Sequence, residues 1–247
     1  MTRISIVTVC YNCKDSIGRT IRSVLAQDYP HLEHVIIDGG STDGTTDAIC
    51  RLAGEKTRWL SETDRGLYDA MNKGWKMATG DVVGFLNADD TLAEARSISR
   101  IARTFQHAPT DAVYGDIELI ANDGRVVRKW SSGRFHRMKY HLGWMTPHPV
   151  TYARRALFEK YGGFRQDLPI SADYELMLRF FYRHRASVAY LPQTLVKMRA
   201  GGASNGSIAA VAKANWQVYQ SWRMNGLVTS PSVMLTKPLS KLLQLRI

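Results

Sequence analysis

Gly80-Asp-Val-Val-Gly-Phe-Leu-Asn-Ala-Asp-Asp-Thr91 is the stretch whose reading decides the fold. Val82 to Leu86 is a short apolar run with β-branched residues behind a turn signal, the pattern of a buried strand in a parallel sheet. It stops at acid. Asn87, Asp89 and Asp90 are therefore expected just past the carboxyl end of a central strand, where open α/β sheets place their ligands. Two adjacent carboxylates repel each other unless a cation or donors compensate, and a divalent metal carrying a diphosphate is the usual compensation. The alternative is a helix N-cap, with Asp90 or Thr91 starting a helix after Leu92.

Three further strand and helix patterns precede this one. Ile4 to Cys10 is a β-branched run closed by Tyr11 and Asn12, after which Ile17, Ile21, Val24 and Leu25 recur at helical spacing. His34-Val-Ile-Ile37 ends in Asp38-Gly-Gly-Ser-Thr-Asp-Gly-Thr45, whose glycines let the backbone approach a ligand and whose Ser, Thr and Asp can cap the next helix. Arg58 to Glu62 is a weaker strand followed by Asp64, and Leu67, Ala70, Met71, Trp75 and Ala78 mark the inner face of a helix ended by Gly80. Strands alternating with helices at this spacing predict a parallel sheet with right-handed crossovers.

Beyond it, Ile98, Ile101, Ala102 and Phe105 predict a helix, and Ala112–Tyr114 a strand. Ile117–Ala121 and Arg125–Trp130 predict a hairpin around Asn122-Asp-Gly124, so the sheet becomes mixed. Residues 131–149, including Trp144-Met-Thr-Pro-His-Pro149, have no clear period and read as loop near the site. Ala153–Tyr161 reads as a short helix, and Ser171-Ala-Asp-Tyr-Glu175 opens a stronger one with Met177, Phe180 and Phe181 on one face. A serine cap with Asp173 in the first turn is also ordinary helix electrostatics, so spacing alone leaves the role of Asp173 open. Ala186–Leu191 and Leu195–Arg199 read as two strands, Gly201–Gly206 as a polar loop and Ile208–Trp222 as a helix.

The 247 residues suffice for one large α/β domain. The 33 basic and 22 acidic residues leave a net charge of +11, which points to an anionic partner without choosing among phosphates, nucleic acid and acidic membrane. Three cysteines make no disulfide framework in a chain of this size, and the odd count suits a reducing compartment. Cys10-x-x-Cys13 has the spacing of half a zinc site or of a redox pair, but no second cysteine pair accompanies it. Without a leader pattern or an apolar run of about 18–20 residues, the expectation is a cytoplasmic protein. The basic amphipathic tail Val233–Ile247, with Lys237, Lys241 and Arg246, could dock it peripherally on the inner face of the membrane.

Acids at three strand ends, Asp38, Asp64 and Asp89–Asp90, with glycine-rich loops between them, suit a nucleoside diphosphate bridged by metal. There is no Gly-x-x-x-x-Gly-Lys-Ser/Thr, and no Gly-x-Gly-x-x-Gly follows the first strand, so an ATPase or dinucleotide reading lacks its phosphate cradle. A nucleic-acid-binding protein would need basic residues on one face and no acids in its pocket. A sugar-phosphate nucleotidyltransferase should carry a glycine-rich basic loop where this chain has Tyr11-Asn-Cys-Lys14.

The chain resembles the family 2 glycosyltransferases, inverting enzymes with a GT-A fold, from about Ile4 to Ser207. Six ordered motifs carry the resemblance: Ile-Val-Thr-Val-Cys-Tyr-Asn, Val-Ile-Ile-Asp-Gly-Gly-Ser-Thr-Asp-Gly-Thr, Ala-Met-Asn-Lys-Gly, Phe-Leu-Asn-Ala-Asp-Asp, Tyr-Gly-Gly-Phe and Ala-Asp-Tyr-Glu-Leu-Met-Leu-Arg. Gly66 to Gly74 looks most like bacterial exopolysaccharide members of the colanic-acid type. The resemblance implies a mixed, mainly parallel Rossmann-like sheet flanked by helices, with a helical acceptor-side part. It implies a transferase domain over 1–206, split into a nucleotide-sugar half (1–115) and an acceptor and base half (116–206), then a C-terminal helix and tail over 207–247.

By the same resemblance Thr8, Tyr11, Asp38 and Asp64 would hold the nucleoside, with Asp38 accepting from a uracil-like N–H, and Asn12, Asn72, Lys73, Ala88 and Asp89 would also line the nucleotide. Asp89 would bind Mn2+ or Mg2+, supported by Asp90, with His148 in reach of the metal, diphosphate or acceptor. Asp173 would be the catalytic base, and Arg199 and Ser204 would clamp phosphates or acceptor from a closing loop. The family's usual Asp-x-Asp carries Asn87 at its first position here. The implied donor is a nucleotide-diphosphate sugar, a UDP-sugar by preference, the acceptor a saccharide or a polyprenyl-diphosphate-linked one, and nucleic acid is not a partner.

Overall fold

The structure is a computed structural model and describes residues 1–200, 208–230 and 233. The first half alternates β1 (Ile4–Cys10), α1 (Lys14–Leu25), β2 (Leu32–Asp38), α2 (Thr45–Leu52), β3 (Thr57–Ser61), α3 (Leu67–Met77) and β4 (Val82–Phe85). The second half holds β5 (Thr91–Leu92), α4 (Ser97–His107), β6 (Ala112–Ile120), β7 (Val126–Trp130), β8 (Thr151–Arg154), α5 (Arg155–Tyr161), α6 (Ala172–Met177), β9 (Val188–Arg199) and α7 (Ile208–Met224). A π-helical turn over Leu178–Arg183 extends α6. Among the described residues the strands form one sheet in the order β3-β2-β1-β4-β8-β6-β9-β5, with β7 paired to the far end of β6. The first four strands are parallel, and β8 enters antiparallel to both β4 and β6.

Every residue of β1 and β2 is buried, because helices cover both faces of the parallel half. The inner faces of the helices follow the apolar period, with two exceptions. Leu25 is exposed at the end of α1, and Leu67 is exposed while Tyr68 turns inward, since Gly66 at φ +113° starts the helix one step out of phase with the expected stripe. α3 lies close on β1: a Cβ on Gly74 would sit 2.2 Å from Val7 Cγ1, so this position accepts only glycine without displacement.

The structure corrects several expected elements. Thr91–Leu92 is a strand paired with β9 and α4 starts at Ser97, so Asp90 and Thr91 cap no helix. β6 runs unbroken through Gly115, where a Cβ would meet Leu195 Cδ1 at 2.5 Å, and β9 runs unbroken through Pro192. The two strands shift register between Tyr114 and Asp116, where Gly115 and Pro192 are accommodated, and again between Asp116 and Ile117. β8 was not expected, because four residues carry too little period to separate a strand from the loop before it. α7 packs into the same core: Trp222 and Val218 are buried, Trp222 Nε1 donates to the Tyr174 hydroxyl, and Gln217 Oε1 accepts from the Ile170 and Ser171 amides. The loop Gly201–Gly206 and the tail, apart from the buried Val233, lie outside the described residues.

At the amino end of the parallel strands, opposite the acid-bearing ends, Glu33 is 2% exposed and ties four segments together. It accepts from the Ser5 hydroxyl, the Thr79 amide and hydroxyl, and Arg58. Burial pushes its carboxyl up, but these donors outweigh burial and hold it below the usual range. A depressed carboxylate stabilises the fold above its unfolded value and loses that contribution as pH falls through the folded value. Glu33→Gln is expected to cost about 1.5–3 kcal/mol at pH 7, with the difference from wild type shrinking below about pH 4.5. Urea titrations of both proteins at the two pH values check this.

Candidate active site

The carboxyl ends of β1, β2, β3 and β4 meet on one side of the sheet, and the loops there are joined by side chains. Asp38, at the end of β2, is wholly buried. Its Oδ2 accepts from the Gly40 and Ser41 amides at 3.2 and 2.9 Å and from the Ser61 hydroxyl at 2.7 Å. Its Oδ1 accepts from the Ser41 hydroxyl and, at 3.6 Å, from the Cys10 thiol. Burial opposes the charge, and these donors outweigh it, holding the carboxyl below its ordinary value. The loop after β1 is stitched to the same segment: the Asn12 amide donates to Ser41 Oγ, Asn12 Oδ1 accepts from the Thr42 amide, and the Cys13 amide donates to Thr45 Oγ1. Asn12 adopts φ +47°, a strained conformation that asparagine tolerates through such local bonds.

Around this frame Tyr11 is 64% exposed and leans over Gly39. A Cβ on Gly39 would lie 2.5 Å from Asp64 Oδ2 and 3.4 Å from the Tyr11 ring, so the absence of a side chain there brings the ring and the carboxylate together. Asp64 Oδ1 accepts from the Gly66 amide. The result is a shelf with an aromatic face and a carboxylate edge.

Past β4, Asp89 is exposed and takes no hydrogen bond or ion pair from the described residues. Asp90 is buried: it accepts from Asn87 Nδ2 at 2.9 Å and from the Arg199 amide at 3.2 Å, and its carbonyl accepts from Thr20. Burial and then the charge of Asp89 push its carboxyl up to about 7. Asn87 thus holds the buried acid in place and leaves the exposed acid free. Among the described residues no three His, Cys, Asp or Glu side chains stand together to hold an ion, so Asp89, Asp90 and His148 do not form the expected metal cluster. A single exposed carboxylate fits an Mg2+ or Mn2+ ion that keeps waters and rests mainly on substrate phosphates.

On the facing side Asp173 lies in the first turn of α6. Its Oδ1 accepts from the Tyr174 amide at 2.8 Å and from the Tyr68 hydroxyl at 3.3 Å, while its Oδ2 accepts nothing from the described residues. Ser171 occupies the cap position, but its hydroxyl donates to the Ala214 carbonyl instead of capping. The single Tyr68 hydroxyl proton is shared with the Ile170 carbonyl, which lies closer at 2.8 Å, and the Tyr68 ring stacks on Phe164 at 5.5 Å. Phe164 meets Phe85, at the end of β4, edge-on at 5.0 Å, and both rings contact His148. Neither nitrogen of His148 has a hydrogen-bond partner among the described residues, and burial lowers the imidazole's pKa while the negative charge of Asp173 acts against that shift. An aromatic column therefore connects the strand end bearing Asp89 to the helix bearing Asp173.

Several residues expected on the site surface are elsewhere. Thr8 is wholly buried, its hydroxyl bonded to His34 Nε2 at 3.0 Å, because β1 is covered on both faces. Asn72 exchanges two hydrogen bonds with the Phe164 backbone and accepts from Trp75, so it fastens the Gly162–Gly163 turn. Lys73 is paired with Glu62 and donates to the Thr63 carbonyl, and Ala88 is buried among Ile17, Ile36 and Ile49. Arg199 donates from Nε to Asn122 Oδ1, across the hairpin turn, and Ser204 lies outside the described residues. Tyr68 was missed as a site residue; its place in the first turn of α3, beside Asp69 in a glycine-started helix, was the available signal.

The model of glycosyl transferase family 2 matches residues 5–162. The chain belongs to this family. A glycosyltransferase of Mycobacterium tuberculosis named for PGL/p-HBAD biosynthesis is 33% identical over 207 residues, covering 82% of this chain and 76% of that protein. An uncharacterised glycosyltransferase of the same species is 32% identical over 195 residues, covering 71% and 68%. Among solved structures, Staphylococcus aureus TarS residues 1–349 in complex with UDP-GlcNAc superposes with a TM-score of 0.66 at 17% identity, over 90% of this chain and 65% of that one. The mannosyltransferase PcManGT of Pyrobaculum calidifontis, in complex with GDP-Man and Mn2+, gives 0.67 at 20% identity, over 96% and 69%. The fold is the GT-A fold of the family, and the protein is a glycosyltransferase. No helix among the described residues is long and apolar enough to cross a membrane.

Tyr68→Phe removes the hydroxyl that bonds the Ile170 carbonyl and contacts Asp173, and keeps the ring stack on Phe164. Stability is expected to fall by about 0.5–1.5 kcal/mol, and turnover by about 10- to 100-fold where the placement of Asp173 serves the reaction. Steady-state rates beside a thermal melt separate the two effects.

Proposed function

We propose that the chain is an inverting glycosyltransferase that moves a sugar from a UDP-sugar to a hydroxyl of a saccharide or polyprenyl-diphosphate-linked acceptor in bacterial polysaccharide assembly. One observation carries it: Asp173 has one oxygen held by the Tyr174 amide and within reach of the Tyr68 hydroxyl, while its other oxygen accepts nothing from the described residues, on a helix joined through Phe164 and Phe85 to the strand end that bears the exposed Asp89. Two UDP- or GDP-sugar complexes among structures of the same fold, one of them with Mn2+, support a nucleotide-sugar donor and a divalent ion. The relative named for PGL/p-HBAD biosynthesis supports a transfer that belongs to a biosynthetic sequence. The tail residues Lys237, Lys241 and Arg246, outside the described region, would add charge toward an anionic membrane.

In this reading the exposed Tyr11 ring receives the face of the base and Asp64 Oδ2 the ribose hydroxyls. Asp38, saturated by its own loop, fixes the backbone of Gly40 and Ser41 beneath them. Asp89 holds a divalent cation, which when bound neutralises charge on the diphosphate. The free oxygen of Asp173 takes the proton of the acceptor hydroxyl as that oxygen forms its bond to the anomeric carbon. The nucleoside diphosphate departs from the opposite face, and a single displacement inverts the configuration.

Calorimetric titration with UDP, GDP and dTDP, with and without Mn2+ or Mg2+, tests class and donor together. UDP is expected to bind in a metal-dependent way, and Asp89→Ala to lose that dependence. Equal affinity in EDTA and in Mn2+ would remove the metal assignment.

Asp173→Asn keeps shape and hydrogen-bonding capacity but no proton acceptor. Turnover is expected to fall by at least about 10²-fold, or roughly 2.7 kcal/mol of barrier, with nucleotide affinity within a few-fold of wild type. Turnover within about threefold of wild type would reject Asp173 as the base, since asparagine serves a helix start nearly as well.

A further inference from the structure

The net charge of +11 is not spread evenly over the chain. Residues 124–158 hold eight Lys and Arg and residues 176–247 hold ten, with no Asp or Glu in either stretch. The rest of the chain sets its other 15 cations against all 22 acids. Positive charge therefore collects in the half of the chain beyond the nucleotide shelf.

The two stretches meet at one surface. A 3-10 turn over Arg137–Leu142 buries Tyr140 wholly and leaves Met138 and Leu142, two places to either side of it, each 55% exposed. The His141 ring centre lies 4.6 Å from that of Trp222, near the end of α7, and its Nδ1 is 3.5 Å from Thr229 Oγ1, so Val228, 91% exposed, adjoins the turn. Three cations accompany these apolar side chains. Arg137 lies over the Tyr182 ring at 4.6 Å, Lys139 lies over the Trp144 ring at 5.0 Å and donates to the Arg134 carbonyl, and Arg134 is itself exposed. None of the three pairs with an acid among the described residues.

We propose that this surface docks the protein on an anionic lipid bilayer, with Met138, Leu142 and Val228 entering the headgroup boundary and Arg134, Arg137 and Lys139 meeting lipid phosphates. It assigns the docking to the folded domain and not to the tail alone. Its use to the enzyme rests on the lipid-linked acceptor proposed above; the docking itself does not.

Two features favour a bilayer over another polyanion. The exposed side chains in this turn and beside it are aliphatic, and they gain by leaving water for acyl chains, whereas a single-stranded nucleic acid calls for exposed aromatic faces on which bases stack. The basic tail also begins within short reach, because Thr229, beside His141, is four residues before the buried Val233, and Lys237, Lys241 and Arg246 follow in sequence. The turn is fastened to the helix bearing Asp173: the Tyr174 hydroxyl donates to the Tyr140 carbonyl at 3.1 Å, and the Tyr140 hydroxyl to the Met177 carbonyl at 3.2 Å. The docking surface and the proposed base thus belong to one packed unit.

The test is sedimentation of the full chain with vesicles of phosphatidylglycerol and phosphatidylcholine in equal parts, beside vesicles of phosphatidylcholine alone, at physiological ionic strength. No nucleotide or acceptor is present, so failure of the transferase reading leaves the result standing. Binding is expected to the first and at least about tenfold weaker to the second, since each cation at an anionic surface is worth roughly fivefold. Met138→Ser with Leu142→Ser should weaken binding at least about tenfold, because each methylene kept out of lipid costs roughly fourfold. Arg134→Gln with Arg137→Gln should weaken it to a similar extent. Amide exchange reads the wild type without any substitution: residues 134–142 and 226–229 should exchange more slowly on the anionic vesicles, and still do so when Lys237, Lys241 and Arg246 are all changed to Gln. Unchanged exchange there, equal binding to the two vesicles, or losses confined to the tail variant would overturn the surface. So would single-stranded DNA that binds as tightly as the anionic vesicles, or vesicle binding that Met138→Ser with Leu142→Ser leaves unaltered.

Discussion

A buried carboxylate must be surrounded by donors, and at Asp38 that requirement shapes the whole nucleotide side of the molecule. Its five donors come from the end of β1 (Cys10), the loop after β2 (Gly40 and both groups of Ser41) and the end of β3 (Ser61). Three parallel strands are thereby clamped at the same level. Truncating any one donor leaves a buried charge short of a partner, which costs far more than the bond itself contributes. An acid that looks at first like a base-reading group is, in this structure, the anchor of the loop on which such reading would depend.

The same division recurs beyond β4. Asp90 is held inside by Asn87 and by the Arg199 amide, which joins the end of β4 to the end of β9, while its neighbour Asp89 is turned out to solvent. Two adjacent acids are thus separated by environment: one sits where its carboxyl is pushed up to about 7, the other where its charge is solvated. Asn87 where the family pattern has a carboxylate avoids a third charge and supplies an amide donor to the buried acid.

The parallel half of the fold was legible in the sequence because apolar runs and helical stripes alternate there, and each strand is closed by an Asn or Asp within a few residues: Asn12, Asp38, Asp64 and Asn87. The antiparallel half was less legible. β8 is four residues long, and Gly115 and Pro192 read as breaks although the register slip between β6 and β9 absorbs both. Strand ends carrying acids were also visible, but the direction of individual side chains was not. In a strand covered on both faces, apolar pattern cannot tell Thr8, bonded to His34 under the sheet, from a residue that reaches the ligand. Asn72 and Lys73 sit in a recognisable motif, yet their partners, Phe164 and Glu62, are fixed only by tertiary packing.

The position of Asp173 depends on that packing too. Tyr68 reaches Asp173 across more than a hundred residues of sequence, and Tyr68 is itself oriented by the Phe164 stack. Phe164 is held by Asn72 through both its backbone groups and rests edge-on against Phe85 of β4. Asn72, expected to touch nucleotide, instead fixes the turn that fixes the ring that orients Tyr68. Motif residues here fall into those that face the cleft and those that set its shape. The second kind are buried or half-buried and bonded within the fold, which explains why a side chain can belong to a functional motif without touching a ligand.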